Sequence, residues 1–295
     1  MEFAGAGAGV PRGRSAAGRG ACPHAGRRLV RLTVVPAIFR LAWREATTYR
    51  FNFAMSFMVI ALPFVLQVFL WSAVLKGREQ LAGRSLSEMI VYYLLVLLVF
   101  DFVQPTVLFD VSDDIKSGTL ALHLIRPLPY PVWSLVLRLG SQTIYLTIVA
   151  TTVAAGALLL GLLGVVNLGD LLTARLASFA AVFLLAWLVG TVSSLAVSFV
   201  VFFTEDAAGV SKLIAFLFPL LSGSLIPLDL LPGWLKALSG YLPFRWLVYE
   251  PIRVFTGQQT PGAALLGLAA WGALISAVTW LLWRSGKARF TAVGD

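Results

Sequence analysis

Long apolar runs dominate this sequence and restrict it to one class of fold. A bilayer with a hydrocarbon core about 30 Å thick needs roughly 20 apolar residues to be crossed by a helix. The chain is 59% hydrophobic and 13% charged, whereas soluble domains are roughly 25% charged. We therefore predict an all-α polytopic membrane protein with six transmembrane helices, at about 53–75, 89–109, 132–166, 171–203, 210–226 and 263–283.

The two ends of the chain differ from this apolar body, which covers residues 36–286. Residues 1–35 are rich in Gly, Ala and Arg, a composition that predicts a disordered basic N-terminal tail. Residues 36–50 place apolar side chains and arginines at helical spacing, which predicts an amphipathic helix in the membrane interface. A simple extension of the first span is the alternative. Residues 287–295 form a short C-terminal tail.

The distribution of Lys and Arg predicts the orientation of the chain. With the N-terminus inside, sixteen of them fall on the cytoplasmic side and seven on the other. Because cytoplasmic loops carry an excess of Lys and Arg, we predict that both termini and the tail at 287–295 are cytoplasmic. The net charge of +9 is concentrated at the chain ends and not along a helix face, which argues against nucleic acid as a partner.

One long polar segment, Asp110 to Tyr130, separates the second and third apolar runs. Ser112 precedes two acids and predicts a helix N-cap, and Ser117-Gly118 breaks that helix. Thr119 predicts the cap of a second short helix, which must end before Pro127. Two short cytoplasmic helices would offer a soluble partner a place to bind, whereas a plain connecting loop is the alternative.

Metal binding and membrane-embedded catalysis find little support in the sequence. One cysteine and two histidines argue against a zinc site. Asp110, Asp113 and Asp114 could hold a cation, but helix capping explains three acids beside Lys116 more simply. Ser222-Gly223 has no histidine partner that would make it a nucleophile.

One acidic residue inside a span supports a different class of function. Asp101 lies about twelve residues into the second run, and Gln104 follows on the same helix face. An acid at membrane depth is typical of ion-coupled carriers and channels, so Asp101 and Gln104 could line a translocation pathway. If the cytoplasmic boundary lies nearer Phe100, Asp101 is merely interfacial.

The segment at 218–258 is too apolar for an ordinary external loop, yet five prolines argue against one continuous helix. These are Pro219, Pro227, Pro232, Pro243 and Pro251. Irregular backbone at membrane depth has to be buried in protein. We therefore predict short re-entrant helices on the outer side, between spans five and six.

Two of these segments resemble a known family. The stretches SGTLALHLIRPLPYP and FPLLSGSLIPLDLLPGW, in a six-span order, resemble permease subunits of bacterial type-two ATP-binding-cassette (ABC) exporters, over roughly residues 38–284. The resemblance implies that residues 36–286 form a permease domain, that two permease chains pair, and that each engages a cytoplasmic nucleotide-binding ATPase subunit. The sequence contains no G-x-x-x-x-G-K-[ST], so ATP and Mg would be bound by that partner, with no cofactor on this chain.

The resemblance also implies roles for individual residues. The coupling helix would cover 113–124 and the outer re-entrant helices 228–250. Residues implied in coupling to the ATPase are Asp113, Asp114, Ile115, Lys116, Gly118, Thr119, Leu120, Leu122, Leu124 and Arg126, and those of the re-entrant motif are Ser222, Gly223, Pro227 and Pro232. The scarcity of polar groups in the spans favours an amphiphile, drug or lipid as the substrate, carried across a bacterial inner membrane.

Overall fold

The computed structural model describes residues 50–77, 80, 83–125, 128–165, 175–204 and 207–290. These ranges are helical and contain no β-strand, which confirms the all-α fold class. The helices are α1 (Arg50–Val74), α2 (Leu86–Val103), α3 (Phe109–Lys116), α4 (Leu120–Leu124), α5 (Tyr130–Leu162), α6 (Leu176–Phe199), α7 (Ala207–Ser222), α8 (Gly233–Gly240), α9 (Pro243–Thr256) and α10 (Pro261–Arg289), with 3₁₀ turns at Val200–Phe202 and Leu228–Leu230.

Within these ranges, four helices are long and apolar enough to cross a membrane, namely α2, α5, α10 and α6 with the 3₁₀ turn that follows it. Two shorter apolar segments, Ala61–Val74 in α1 and Gly209–Ser222 in α7, coincide with the predicted first and fifth spans. The chain is therefore a multi-pass membrane protein, and the count of six spans stays a prediction. The tail at 1–35 and most of the predicted interfacial helix at 36–50 lie outside the described residues.

Helix α6 lies at the centre of the bundle and contacts α2, α5, α9 and α10. Gly190 permits a close approach to α2, because a Cβ at this position would lie 2.5 Å from the backbone oxygen of Val103. Toward α5, the Trp187 indole donates a 2.6 Å hydrogen bond to Gln142. Among the four long apolar helices, α2 and α6 are thus the most buried, and the more exposed α5 and α10 pack against them.

Several helix ends differ from the sequence prediction. The second span was expected to reach residue 109, but α2 ends at Val103, shortly before Pro105. The fifth span was expected to reach Ile226, but α7 ends at Ser222 because Gly223 adopts a left-handed conformation with φ 85°. Helix α6 ends at Phe199 and continues as a 3₁₀ turn to Phe202. At the other end of the chain, α10 runs through Arg289 into the predicted C-terminal tail.

The proline-rich segment after α7 forms a 3₁₀ turn and the short helices α8 and α9, as predicted. Pro227, Pro232 and Pro243 each stand at the beginning of one of these elements. Pro219 and Pro251 instead lie inside α7 and α9, so these two prolines do not end a helix, although the segment as a whole is not one continuous helix, as predicted. A helix retains an internal proline when packing outweighs the lost hydrogen bond, and Pro251 is buried.

Candidate functional site

The polar segment after α2 folds into two short helices, as the sequence predicts. Helices α3 and α4 are separated by Gly118, whose φ of 77° explains the glycine at the break. The predicted cap at Ser112 is wrong, because helix α3 already begins at Phe109 and Ser112 is buried inside it. Thr119 stands at the N-cap position of α4 as predicted, but the Thr119 side chain makes no capping hydrogen bond. Its hydroxyl donates instead to Asp114, at 3.0 Å. We call residues 109–125 the two-helix segment.

The connection from α2 to the two-helix segment is fixed to α6 by two serines one helical turn apart. The Ser194 and Ser198 hydroxyls accept hydrogen bonds from the backbone N–H groups of Thr106 (3.1 Å) and Leu108 (2.8 Å). These amides follow the end of α2 at Val103 and have no helical acceptor. The two-helix segment is therefore attached to both α2 and α6.

Two apolar residues expected to contact a partner are buried within this protein. Ile115 is 9% exposed and Leu120 is fully buried, and both pack in a cluster that includes Phe199 and Val201 at the end of α6. The expectation that Ile115 and Leu120 present a docking surface is therefore wrong, because helices this short need one apolar face to attach to the bundle.

The other apolar residues of the two-helix segment face outward. Leu122 is 61% and Leu124 46% exposed, and Ile125 and Phe109 are more exposed still. Asp113 and Lys116 are exposed on the same segment, and Arg126 lies outside the described residues. An apolar surface flanked by charges is what a protein partner would cover.

Asp114 links the two short helices to α5. Its carboxylate accepts hydrogen bonds from Thr119 and from the Tyr130 hydroxyl (2.7 Å), and His123 lies 3.7 Å away. Asp114 is thus an internal tie of the two-helix segment and not a free contact for a partner.

The predicted pathway residues Asp101 and Gln104 are separated by the structure. Asp101 lines a cavity of about 340 Å³ bounded by α1, α2 and α7, and it accepts a 2.9 Å hydrogen bond from Tyr145. Gln104 stands at the C-cap of α2 and does not line this cavity. Gln67, which sequence reasoning missed, lines the cavity instead, and its buried Oε1 has no hydrogen-bond partner among the described residues.

The predicted re-entrant motif lies at the opposite end of α2 from the two-helix segment. Ser222 is fully buried, and a Cβ on Gly223 would lie 3.1–3.2 Å from Leu228, Tyr92 and Tyr249. The Tyr92 hydroxyl donates a 2.5 Å hydrogen bond to the Gly223 carbonyl. The motif is thus a tightly packed turn that joins α7 to the short helices.

A charged cluster that sequence reasoning missed fixes this turn. Asp229 forms an ion pair with Arg84 at 2.8 Å, accepts a hydrogen bond from Tyr249, and lies 3.5 Å from Lys236. Partial burial raises the pKa of Asp229, but these donors outweigh it and hold the pKa below its usual value. Burial and the nearby carboxylate raise the pKa of Tyr249.

A buried acid on α9 forms a second charged cluster. Glu250 is 1% exposed and pairs with Arg245 at 2.6 Å and Arg253 at 3.4 Å, while Gln259 donates a 3.0 Å hydrogen bond to it. An acid three and five residues from two arginines in an apolar segment was the available sequence signal. These contacts stabilise the proline-rich segment after α7 and pair its acids with arginines.

Comparison with known proteins identifies the family. A family model described as ABC-2 family transporter protein matches residues 61–294, which include the cavity, the two-helix segment and the motif. No curated protein matches the chain. Members are generally non-enzymatic membrane permease subunits that act with a partner ATP-binding subunit. The chain therefore belongs to the ABC-2 family of transporter proteins.

Proposed function

We propose that this protein is the permease subunit of an ATP-driven exporter of the bacterial inner membrane, with both termini in the cytoplasm. A separate ATPase binds ATP and Mg, and a second permease chain, identical or not, completes the translocation pathway. The observation that carries this proposal is the two-helix segment, which joins an exposed apolar surface to a hydrogen-bonded attachment on the spans.

The two-helix segment has the properties that mechanical coupling requires. Its outer surface, formed by Phe109, Leu122, Leu124 and Ile125, is available to a partner. Its inner face packs on the end of α6 through Leu120. Movement of a docked ATPase would therefore reach α6 through side-chain packing, and α2 through the serine-bound connection.

The cavity at α1, α2 and α7 supports an amphiphile as the substrate. Its walls are largely apolar and include Phe64 and Phe100, while Gln67 and Asp101 supply hydrogen-bond acceptors. Asp101 lies about 22 Å along α2 from Leu86, which places its carboxylate within the hydrocarbon layer if α2 begins at the membrane boundary. An apolar molecule with a hydrogen-bond donor fits these walls.

Family membership favours this function over the ion-coupled carrier that Asp101 also suggested. In the permease, Asp101 acts as a polar contact for substrate and not as a coupling site for ions. The export direction follows from the resemblance of the two motifs to exporter subunits.

Replacement of the exposed leucines tests the docking surface. Complete burial of a leucine contributes about 1.5–3 kcal/mol. Leu122 and Leu124 are about half exposed, so Leu122→Ser with Leu124→Ser should weaken ATPase binding by at least about tenfold. The measurement is the amount of the co-expressed ATPase retained on purified permease in detergent.

The matched control is Leu162→Ser with Leu163→Ser, at the end of α5 that lies far from the two-helix segment. Both of these leucines are also exposed. This variant should retain the ATPase as the wild type does. Equal retention by the two double variants would refute docking at the two-helix segment.

A further inference from the structure

A second cavity, of about 250 Å³, lies between α3 and the first turns of α5. Val107, Leu108 and Val111 form its apolar wall, and Arg138, Ser134 and Asp110 form its polar part. The cavity is separate from the one that contains Asp101, with which it shares no lining residue.

The guanidinium of Arg138 has hydrogen-bond donors that lack an acceptor among the described residues. One of its Nη atoms donates a 3.2 Å hydrogen bond to Thr106, which holds the guanidinium in place. Its Nε is buried and has no hydrogen-bond partner among the described residues. The other Nη atom makes no hydrogen bond among the described residues and, unlike Nε, is not buried, so an acceptor in the cavity can reach it.

Asp110 supplies the opposite charge in the same cavity. It is exposed and, within the described part of the chain, forms no ion pair or hydrogen bond with Arg138 or any other residue. Its neighbour Asp114 is already occupied by Tyr130 and Thr119. The cavity therefore offers a guanidinium and a carboxylate that attract each other through space but form no direct ion pair.

The position of Arg138 along α5 gives its depth in the membrane. It lies 24 residues before Leu162, a distance of about 36 Å along the helix. The hydrocarbon core is about 30 Å thick, so a helix that leaves it at Leu162 carries Arg138 into the headgroup layer of the opposite leaflet. Trp133 and Tyr130 line the cavity at this level, where aromatic residues are enriched.

We propose that this cavity binds the headgroup of a zwitterionic phospholipid. The phosphate accepts hydrogen bonds from Arg138, and the ammonium group lies against Asp110. A lipid with phosphate alone satisfies only the arginine and brings its negative charge toward the aspartate. The bound lipid would bridge α3 and α5 at the base of the two-helix segment.

The test is a titration of the delipidated full-length protein with dioleoyl phosphatidylethanolamine and with dioleoyl phosphatidylglycerol, monitored by native mass spectrometry. The wild type should bind the first ethanolamine lipid about tenfold more tightly than the glycerol lipid. Arg138→Gln should weaken ethanolamine lipid binding by at least about tenfold, and Asp110→Asn should remove the preference between the two lipids.

The matched controls are Asp113→Asn, an exposed acid on the same helix, and Arg284→Gln, an arginine near the end of α10. Both should bind the lipids as the wild type does. Equal binding of the two lipids by the wild type, or an unchanged preference in Asp110→Asn, would overturn the proposal. Asp110 is exposed, so this variant stays informative even if Arg138→Gln fails to fold.

A soluble headgroup separates a lipid from a free zwitterion. Glycerophosphoethanolamine should compete only at concentrations far above those of the lipid, because it lacks the acyl chains that add apolar contact. Competition at equal concentration would show a site for a small soluble molecule and would overturn the lipid assignment. Lipid binding is read out without the ATPase, so this result is independent of the coupling proposal.

Discussion

The contact between α2 and α6 gives a prediction whose size follows from the structure. A methyl group on Gly190 would lie 2.5 Å from the carbonyl oxygen and 2.6 Å from the Cα of Val103. Ordinary contacts between such atoms need about 3.5 Å, so Gly190→Ala must separate the two helices by about 1 Å. The backbone atoms of Val103 cannot move aside by a rotamer change, so the clash can be relieved only by a displacement of the helices themselves.

The cost of this separation is large for one methyl group. Overpacking a core costs about 1–3 kcal/mol, and contact with backbone places Gly190→Ala at the upper end. The separation also strains the hydrogen bond from the Thr106 amide to Ser194, which is worth about 1 kcal/mol. A total of about 3–4 kcal/mol corresponds to a Tm decrease of about 6–16 °C for a chain of this size.

The assay is the fraction of full-length protein that remains monodisperse by size-exclusion chromatography after heating in detergent. The control is Gly156→Ala in α5, because a Cβ there would have only an ordinary 3.7 Å contact with Leu94. If Gly190→Ala and Gly156→Ala unfold within about 2 °C of each other, the close approach of α2 and α6 is refuted.

Three further predictions concern other parts of the molecule. Because its carboxylate pKa is lowered in the folded state, Asp229 should stabilise the protein above about pH 4, and this contribution should be lost as the pH falls. In Asp229→Asn the Tm should therefore decrease less between neutral and acidic pH than in the wild type, whereas the control Asp113→Asn should behave as the wild type does. Asp101→Asn should retain assembly but reduce efflux from cells loaded with amphiphilic dyes, and wild-type efflux would exclude Asp101 from the pathway. In a cysteine-free background, Ser117→Cys and Thr260→Cys should react with impermeant maleimide from opposite sides of the membrane, and labelling from the same side would contradict the predicted orientation.

The sequence predicted the features that depend on local chemistry. Apolar runs set the helical class, Gly118 marked the break between two short helices, and Pro227 and Pro232 marked the start of others. Each of these signals acts over a few residues, so it can be recognised in the chain without knowledge of the packing.

What depends on distant contacts could not be predicted in the same way. The prediction that Ile115 and Leu120 form a docking surface is wrong because the end of α6, which is distant in sequence, covers both side chains. No local sequence pattern identifies Gln67 as a cavity residue, because only the packing of α1 against α2 and α7 brings it to the cavity with Asp101. The pairing of Arg84 with Asp229 joins residues 145 positions apart, beyond any local pattern.

Photo-crosslinking from the two-helix segment tests the central claim most directly. Leu122→benzoylphenylalanine should crosslink to the nucleotide-binding ATPase when both proteins are co-expressed, because Leu122 is exposed on the proposed docking surface. Leu162→benzoylphenylalanine, equally apolar and exposed at the far end of α5, should not. The account predicts a permease–ATPase adduct from position 122 alone, and an absence of that adduct, or an equal yield from position 162, would contradict it.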